Sequence, residues 1–176
     1  MSGMSRAEST FEALVNAYST DLYRYAYWLC KEPQLAEDLV QETFMRAWKA
    51  LDKLDKPESA RAWLFTILRR ELSRHLGKQK MDLVALESVV EADPNLFHDS
   101  SQGKVEAWVL RQALKKIEPQ YLEPLLLQVI GGYRCDEIGE MMAVKKGAIM
   151  TRVSRARQQL RELLLNEPPT KMRLVK

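Results

Sequence analysis

The stretch KKGAIMTRVSRARQQLRELLL, residues 145–165, carries the clearest pattern in the chain. Its apolar residues recur every three or four positions. They are Ile149, Val153, Ala156, Leu160 and Leu163. This spacing predicts a helix whose single narrow apolar stripe packs on a small core.

The opposite face of this predicted helix is polar and positively charged. Lys145 and Lys146 lie at its start, and Arg152 and Arg157 flank it. The face consists of Met150, Thr151, Ser154, Arg155 and Gln158. Six cations and no carboxylate lie between Lys145 and Arg161. Because like charges four residues apart destabilise a helix by roughly a few tenths of a kcal/mol, a polyanionic ligand is the predicted compensation. The alternative is a solvated surface helix.

The residues before this stretch predict a second, shorter helix. Asp136–Met142 has an acidic first turn followed by apolar residues, and Ala143–Lys146 forms a short break. Two short helices joined by a tight turn, the second one basic, describe a helix-turn-helix motif whose second helix enters the DNA major groove. Arg155 is long enough to reach base edges there, whereas Arg152 and Arg157 suit phosphates.

Composition and charge predict two modules. Apolar residues make up 46% and charged residues 29% of the 176 residues, which is typical of a soluble protein with one ordinary domain or two small ones. Residues 1–80 hold 13 cations and 11 anions, 81–103 hold none and five, and 104–176 hold 14 and eight. We therefore expect modules at 1–80 and 104–166, a flexible acidic linker at 81–103, and a loose tail at 167–176.

Several function classes find no support in the sequence. Cys30 and Cys135 lack metal-ligand spacing, and the two histidines, His75 and His98, complete no cluster. No nucleophile–base pair or phosphate-binding loop is recognisable, so we expect no enzyme, no metal and no cofactor. No apolar run approaches the ~20 residues that cross a bilayer, and no secretory leader is visible. These features favour a reducing cytoplasm without membrane insertion.

Helical periodicity extends over most of the remaining chain. The predicted helices are Thr10–Lys31, Gln34–Leu51, Ala62–Gly77, Lys104–Lys116 and Gln120–Ile130. The aromatic residues of the first helix are predicted to be core. The fold class is therefore all-α, with two small helical domains.

The second and third predicted helices each present a charged face. On Gln34–Leu51 the apolar residues Ala36, Val40, Phe44, Ala47 and Leu51 share one narrow arc. Acids and amides lie away from it, together with Met45. They are Asp38, Gln41 and Glu42, with Glu37 at the border. This face predicts docking of a basic partner protein, or alternatively a solvated surface.

A second basic surface is predicted on Ala62–Gly77. Its outward positions include Thr66, Arg70, Ser73 and Arg74, with Arg69 nearby, and Glu71 alone opposes their charge. In the same helix Leu64, Leu68 and Leu72 are expected to point inward.

Three segments of this chain resemble a known family. They are AEDLVQETFMRAW (36–48), ARAWLFTILRREL (60–72) and TRVSRARQQLREL (151–163). In order and spacing they resemble regions 2 and 4 of the extracytoplasmic-function (ECF, group IV) sigma factors of the sigma-70 family, which initiate bacterial transcription. The resemblance covers about residues 10–80 and 104–165.

The resemblance implies a function and assigns roles to individual residues. It implies a sigma factor that binds bacterial core RNA polymerase, directs it to promoters with minus 35 and minus 10 elements, and is held by an anti-sigma factor. Core-polymerase binding falls on Glu37, Asp38, Gln41, Glu42 and Phe44. Minus 10 DNA binding falls on Lys56, Ser59, Arg61, Arg69, Arg70 and Arg74. Minus 35 DNA binding falls on Lys145, Lys146, Met150, Thr151, Arg152, Ser154, Arg155 and Arg157.

Two alternative functions stay open on the sequence alone. One is a stand-alone helix-turn-helix transcriptional regulator, in which residues 10–80 form a sensing or dimerising module. The other is a helical adaptor that uses only the acidic face, to bind protein. The family also often has Lys or Arg at position 150, so Met150 leaves the preferred promoter sequence open.

Overall fold

A computed structural model describes the chain over residues 6–54, 56–79 and 101–166. Seven α-helices form this part of the molecule, and two short 3₁₀ turns, Leu51–Lys53 and Pro57–Ser59, join the second helix to the third. The helices are α1 Arg6–Cys30, α2 Pro33–Lys49, α3 Ala60–Gln79, α4 Ser101–Lys116, α5 Pro119–Val129, α6 Cys135–Met142 and α7 Lys146–Asn166. The predicted all-α class is confirmed.

Two predicted segments fall largely outside the described residues. The acidic linker at 81–103 overlaps the structure only where α4 begins at Ser101, and the tail at 167–176 is not covered. The module bounds 1–80 and 104–166 therefore stay predictions.

The junction between α1 and α2 follows from three consecutive residues. Lys31 adopts a left-handed conformation with φ 61°, which ends α1. Glu32 is extended, as the residue before a proline prefers, and Pro33 then occupies the first turn of α2, where its missing N–H has no intrahelical partner to lose. The predicted start near Pro33 is confirmed, whereas α1 begins at Arg6, four residues before the predicted Thr10.

The first compact unit contains α1, α2 and α3, which pack against one another, and also Leu126–Tyr133. Tyr25, Tyr27 and Trp28 are buried, as predicted for the aromatic residues of α1. Phe65, whose burial was not predicted, lies at the centre of an aromatic cluster, with ring centroids 5.3 Å from Tyr25 and 5.7 Å from Tyr133 in edge-to-face geometry.

The second compact unit contains α4, the first part of α5, α6 and α7. Its core includes Ala113, Ile117, Leu122, Leu125, Ile138, Ile149, Val153 and Ala156. The last three of these belong to the predicted stripe of α7 and are confirmed as core, while Leu160 and Leu163 are half-buried.

A close approach shapes the turn between α6 and α7. Ala143 ends α6 in the left-handed region with φ 54°, and the Val144 N–H donates to the Gly139 carbonyl at 2.9 Å. A Cβ on Gly139 would lie 2.6 Å from the Val144 oxygen, so only glycine fits there. The predicted helix-turn-helix is therefore present, with its turn set by Gly139 and Ala143.

Candidate functional site

The exposed face of α7 carries the predicted minus 35 residues. All eight lie at the surface, with Arg152 half-buried and the others exposed: Lys145, Lys146, Met150, Thr151, Ser154, Arg155 and Arg157. The buried stripe holds the helix from behind, so the polar face is directed away from the core of its unit. Such a helix can enter a groove of duplex DNA without any loss of packing.

The start of α7 is positively polarised. The Lys145 carbonyl accepts hydrogen bonds from Ala148 and Ile149, so Lys145 is the residue that precedes the helix, and Lys146 begins it. The positive end of the helix dipole and two ammonium groups then lie together, which favours a phosphate. Met150, with 55% of its surface exposed, adds an apolar contact suited to a thymine methyl group.

Two polar residues of the α7 face are restrained by neighbours. The Thr151 hydroxyl donates to the Gly147 carbonyl at 3.0 Å, which uses its only donor and leaves its oxygen as an acceptor. Arg155 donates from Nη1 to the Tyr121 hydroxyl oxygen at 3.2 Å. Tyr121 lies on α5, and the sequence pattern did not predict its involvement.

The acidic face of α2 is a second candidate surface. Glu37, Asp38 and Gln41 are exposed and Glu42 is half-buried. The exposed apolar residues Met45 and Trp48, at 55% and 45%, lie one and two turns further along the helix. Carboxylates beside exposed apolar groups suit a basic partner protein that also buries apolar surface.

The remaining member of the predicted docking set, Phe44, has an internal role as well. Its ring packs edge-to-face against Phe11 of α1 at 6.0 Å, and Phe11 also contacts Trp48 at 5.0 Å. These contacts fix the C-terminal half of α2 on α1. Sequence periodicity placed Phe44 on the apolar arc and did not single out Trp48.

The predicted minus 10 residues are less uniformly exposed to solvent than those of α7. Lys56, Ser59, Arg70 and Arg74 are exposed, whereas Arg61 and Arg69 are half-buried. Arg61 donates from Nη2 to Asp21 Oδ2 and to the Ile130 carbonyl, both at 2.8 Å. Its guanidinium therefore holds α3 to α1 and to the segment after α5, inside the first unit.

A charge network joins the acidic face of α2 to the basic face of α3. Glu71 is almost fully buried, and its Oε1 accepts a hydrogen bond from Arg74 Nη1 and forms an ion pair with Arg46 Nε, both at 2.9 Å. Arg46 Nε also lies 2.8 Å from Glu42 Oε1. Glu71 was predicted only as the acid that opposes the basic surface; its burial between two arginines depends on α2 and was missed.

Side chains that could ligate a metal ion do not cluster in the described residues. None of their His, Cys, Asp and Glu side chains group in threes in a way that would hold a metal ion. Burial raises the pKa of the Cys30 thiol, whose Sγ donates to the Glu32 carbonyl at 3.3 Å. Among the seven helices, none has the length and apolar character that crossing a bilayer requires.

Two known families match the parts of the chain that carry the α2, α3 and α7 surfaces. The family described as Sigma-70 region 2 matches residues 14–81, and the family described as Sigma-70, region 4 matches residues 107–160. The first match contains the α2 and α3 surfaces, and the second contains α6 and α7.

Individual relatives extend over nearly the whole chain. The ECF RNA polymerase sigma factor SigE of Mycolicibacterium smegmatis is 32% identical over 170 residues, 92% of this chain and 64% of the relative. SigM of Bacillus subtilis is 26% identical, and the match covers 88% of this chain and 94% of SigM. A solved structure of the Bartonella quintana sigma factor RpoE, in complex with the anti-sigma factor NepR, superposes with a TM-score of 0.73 at 31% identity and covers 90% of this chain and 98% of that one.

Proposed function

Since the chain belongs to the sigma-70 family, among its ECF members, we propose that it binds bacterial core RNA polymerase and directs promoter-specific transcription initiation. The observation that carries this proposal is the pairing of two matched regions, in family order, with exposed charged surfaces of opposite sign within them. The acidic face of α2 suits a protein partner, and the basic face of α7 suits duplex DNA.

In this proposal the two units bind different parts of one promoter. The face of α7 binds the minus 35 element as duplex, with Arg155 at base edges and Lys146 at phosphates. The turn Lys56–Ser59 and the exposed Arg70 and Arg74 of α3 bind the opened minus 10 strand, where cations offset the few kcal/mol, roughly, of lost base stacking. Arg61 joins them only where DNA displaces its hydrogen bonds to Asp21 and Ile130.

The partner proteins follow from the same surfaces. Core polymerase docks on Glu37, Asp38, Gln41 and Glu42, and an anti-sigma factor is proposed because the RpoE relative was solved with one. The chain acts by binding and performs no covalent chemistry, and its place of action is the cytoplasm, where bacterial polymerase works.

Neither alternative function is favoured. A stand-alone regulator would have a sensing or dimerising module in its N-terminal part, but region 2 of the sigma-70 family matches residues 14–81. An adaptor that binds protein only would not need the exposed cationic face of α7 within a matched region 4.

Run-off transcription tests the proposal directly. Purified chain and core RNA polymerase are incubated with a promoter library randomised at both elements, and the transcripts are sequenced. We expect transcripts that depend on the chain and share two sequence elements. Transcription that does not depend on the added chain, or operator binding by the isolated chain with no effect of polymerase, would contradict the proposal.

A charge reversal tests the docking surface separately. Asp38→Lys with Glu42→Lys should weaken association with core polymerase, because it replaces attraction by repulsion on the acidic face of α2. The matched control is Glu8→Lys with Glu12→Lys on the exposed start of α1, which should retain association. Equal capture of both variants in a pull-down, with circular dichroism unchanged, would refute the docking assignment.

A further inference from the structure

A tyrosine outside the helix-turn-helix holds the arginine at the centre of the α7 face. Tyr121 is half-buried on α5, 34 positions before Arg155. The Arg155 Nη1 donates to its hydroxyl oxygen at 3.2 Å, and the guanidinium carbon lies 5.9 Å from the ring centroid. Both distances lie at the long end of their ranges, and together the hydrogen bond and the ring contact restrain the guanidinium from two directions.

Tyr121 is suited to this task because the helix segment that carries it is anchored in the core. Its neighbour Leu122 is buried in the core of the second unit, as is Leu125 one turn further along α5. A tyrosine has two rotatable side-chain torsions and an exposed arginine has four, so the arginine is the partner that gains order.

The contact also leaves the arginine able to bind a ligand. A guanidinium has five N–H donors, and the tyrosine hydroxyl takes one of them. The opposite edge of the fork keeps the paired donors that match O6 and N7 of a guanine in the major groove. Ordering such a side chain before binding removes part of the entropic cost of immobilising it from the recognition step.

We propose that Tyr121 is a positioning residue that orients the Arg155 guanidinium for recognition of one base pair. The set of residues that determines promoter preference then extends from α7 to α5. This inference rests on the proposed function, in which α7 binds the upstream promoter element.

The test uses reconstituted holoenzyme and a library randomised in the upstream element. Arg155→Ala identifies the base pair that Arg155 recognises. Tyr121→Phe, which keeps the ring and removes the hydroxyl, should lower discrimination at that same base pair by about 3- to 10-fold and leave the other positions unchanged. Tyr121→Gln, which retains an acceptor, should recover part of the discrimination.

Two further variants separate positioning from direct contact and from packing. Tyr121→Phe combined with Arg155→Ala should behave as Arg155→Ala alone, because the tyrosine acts only through the arginine. Tyr18→Phe, a half-buried tyrosine of α1, is the matched control and should leave promoter preference unchanged.

Each other result overturns the inference. A uniform loss at all base pairs in Tyr121→Phe would make the hydroxyl a phosphate contact or a packing group. Unchanged discrimination in Tyr121→Phe, an added loss in the double variant, or an Arg155→Ala variant without a base-specific effect would each refute positioning. A wild-type holoenzyme without any base preference would overturn the proposed function together with it.

Discussion

A single carboxylate, Glu71, stabilises the junction of α2 and α3. It is 9% exposed and contacts two arginines, one from each helix. An isolated buried charge is expensive, so the two pairings are what allow a carboxylate at this position. Its contact with Arg46 joins α3 to α2, and its contact with Arg74 restrains a candidate DNA-binding residue.

We predict that Glu71→Gln lowers the free energy of unfolding by about 1 to 2 kcal/mol. The value lies below that of a fully buried pair because the side chains of Arg46 and Arg74 are 45% and 58% exposed, and water screens the charges that remain. Chemical denaturation followed by circular dichroism measures the change. Glu12→Gln, at an exposed position of α1, should have no effect; an equal response of both variants would show that Glu71 is not stabilising.

Cys30 gives a prediction about reactivity. Because burial raises the pKa of its thiol, the thiolate fraction at neutral pH is lower than in a free cysteine. In a Cys135→Ser background, Cys30 should react with iodoacetamide more slowly than glutathione at pH 7.5, and its rate should keep rising above pH 9. A rate equal to that of glutathione across this pH range would contradict the assigned environment.

At the scale of helices, the turn between α6 and α7 makes a sharp prediction. Gly139→Ala would place a Cβ 2.6 Å from the Val144 oxygen, so the turn must open. We expect a loss of about 1 to 3 kcal/mol of stability, although alanine is the better helix former. Promoter binding by the holoenzyme should fall with it, since the turn sets the orientation of α7.

Gly147 provides the control for this substitution. A Cβ at Gly147 meets nothing within 4 Å, and the residue lies in the first turn of α7. Gly147→Ala should be neutral or stabilise by up to about 1 kcal/mol. If thermal unfolding ranked the two variants in the opposite order, the close approach at Gly139 would not be what shapes the motif.

The spacing of apolar residues along the sequence was sufficient to predict the helices and the exposed face of α7. The stripe through Ile149, Val153 and Ala156 depends only on spacing along one helix, and burial confirms it. Helix ends were predicted less well. The start of α1 was predicted at Thr10 and lies at Arg6, because the first turn is polar and exposed and so carries no periodic signal.

Features that depend on two helices were beyond sequence pattern. Phe65 was missed because its place in the core is created by Tyr25 and Tyr133, which lie far away in sequence. The Tyr121–Arg155 contact likewise joins positions on different helices.

At the scale of the whole molecule, charges of each sign are concentrated in different segments of the chain. The net charge is only +3, but residues 81–103 hold five anions and no cation, while residues 104–176 hold 14 cations against eight anions. The C-terminal part is therefore the stronger attractor for a polyanion.

A salt titration measures this attraction. The logarithm of the DNA affinity of the holoenzyme should fall linearly with the logarithm of the salt concentration, with a slope of about −0.9 per phosphate contact. Lys146→Ala should weaken binding uniformly across sequences and reduce that slope by about one. Lys53→Ala, exposed in the turn after α2, should retain the wild-type slope. An unchanged slope in Lys146→Ala would exclude Lys146 as a phosphate contact.

The arrangement of α7 has a consequence for how such a protein diversifies. Folding depends on the side turned toward Ile138 and its neighbours, while Met150 and Ser154 are exposed on the other side. We expect substitutions at those two positions to have little effect on stability. New target preferences can thus arise by drift at the surface, so paralogues that share one scaffold are able to diverge toward separate sets of genes.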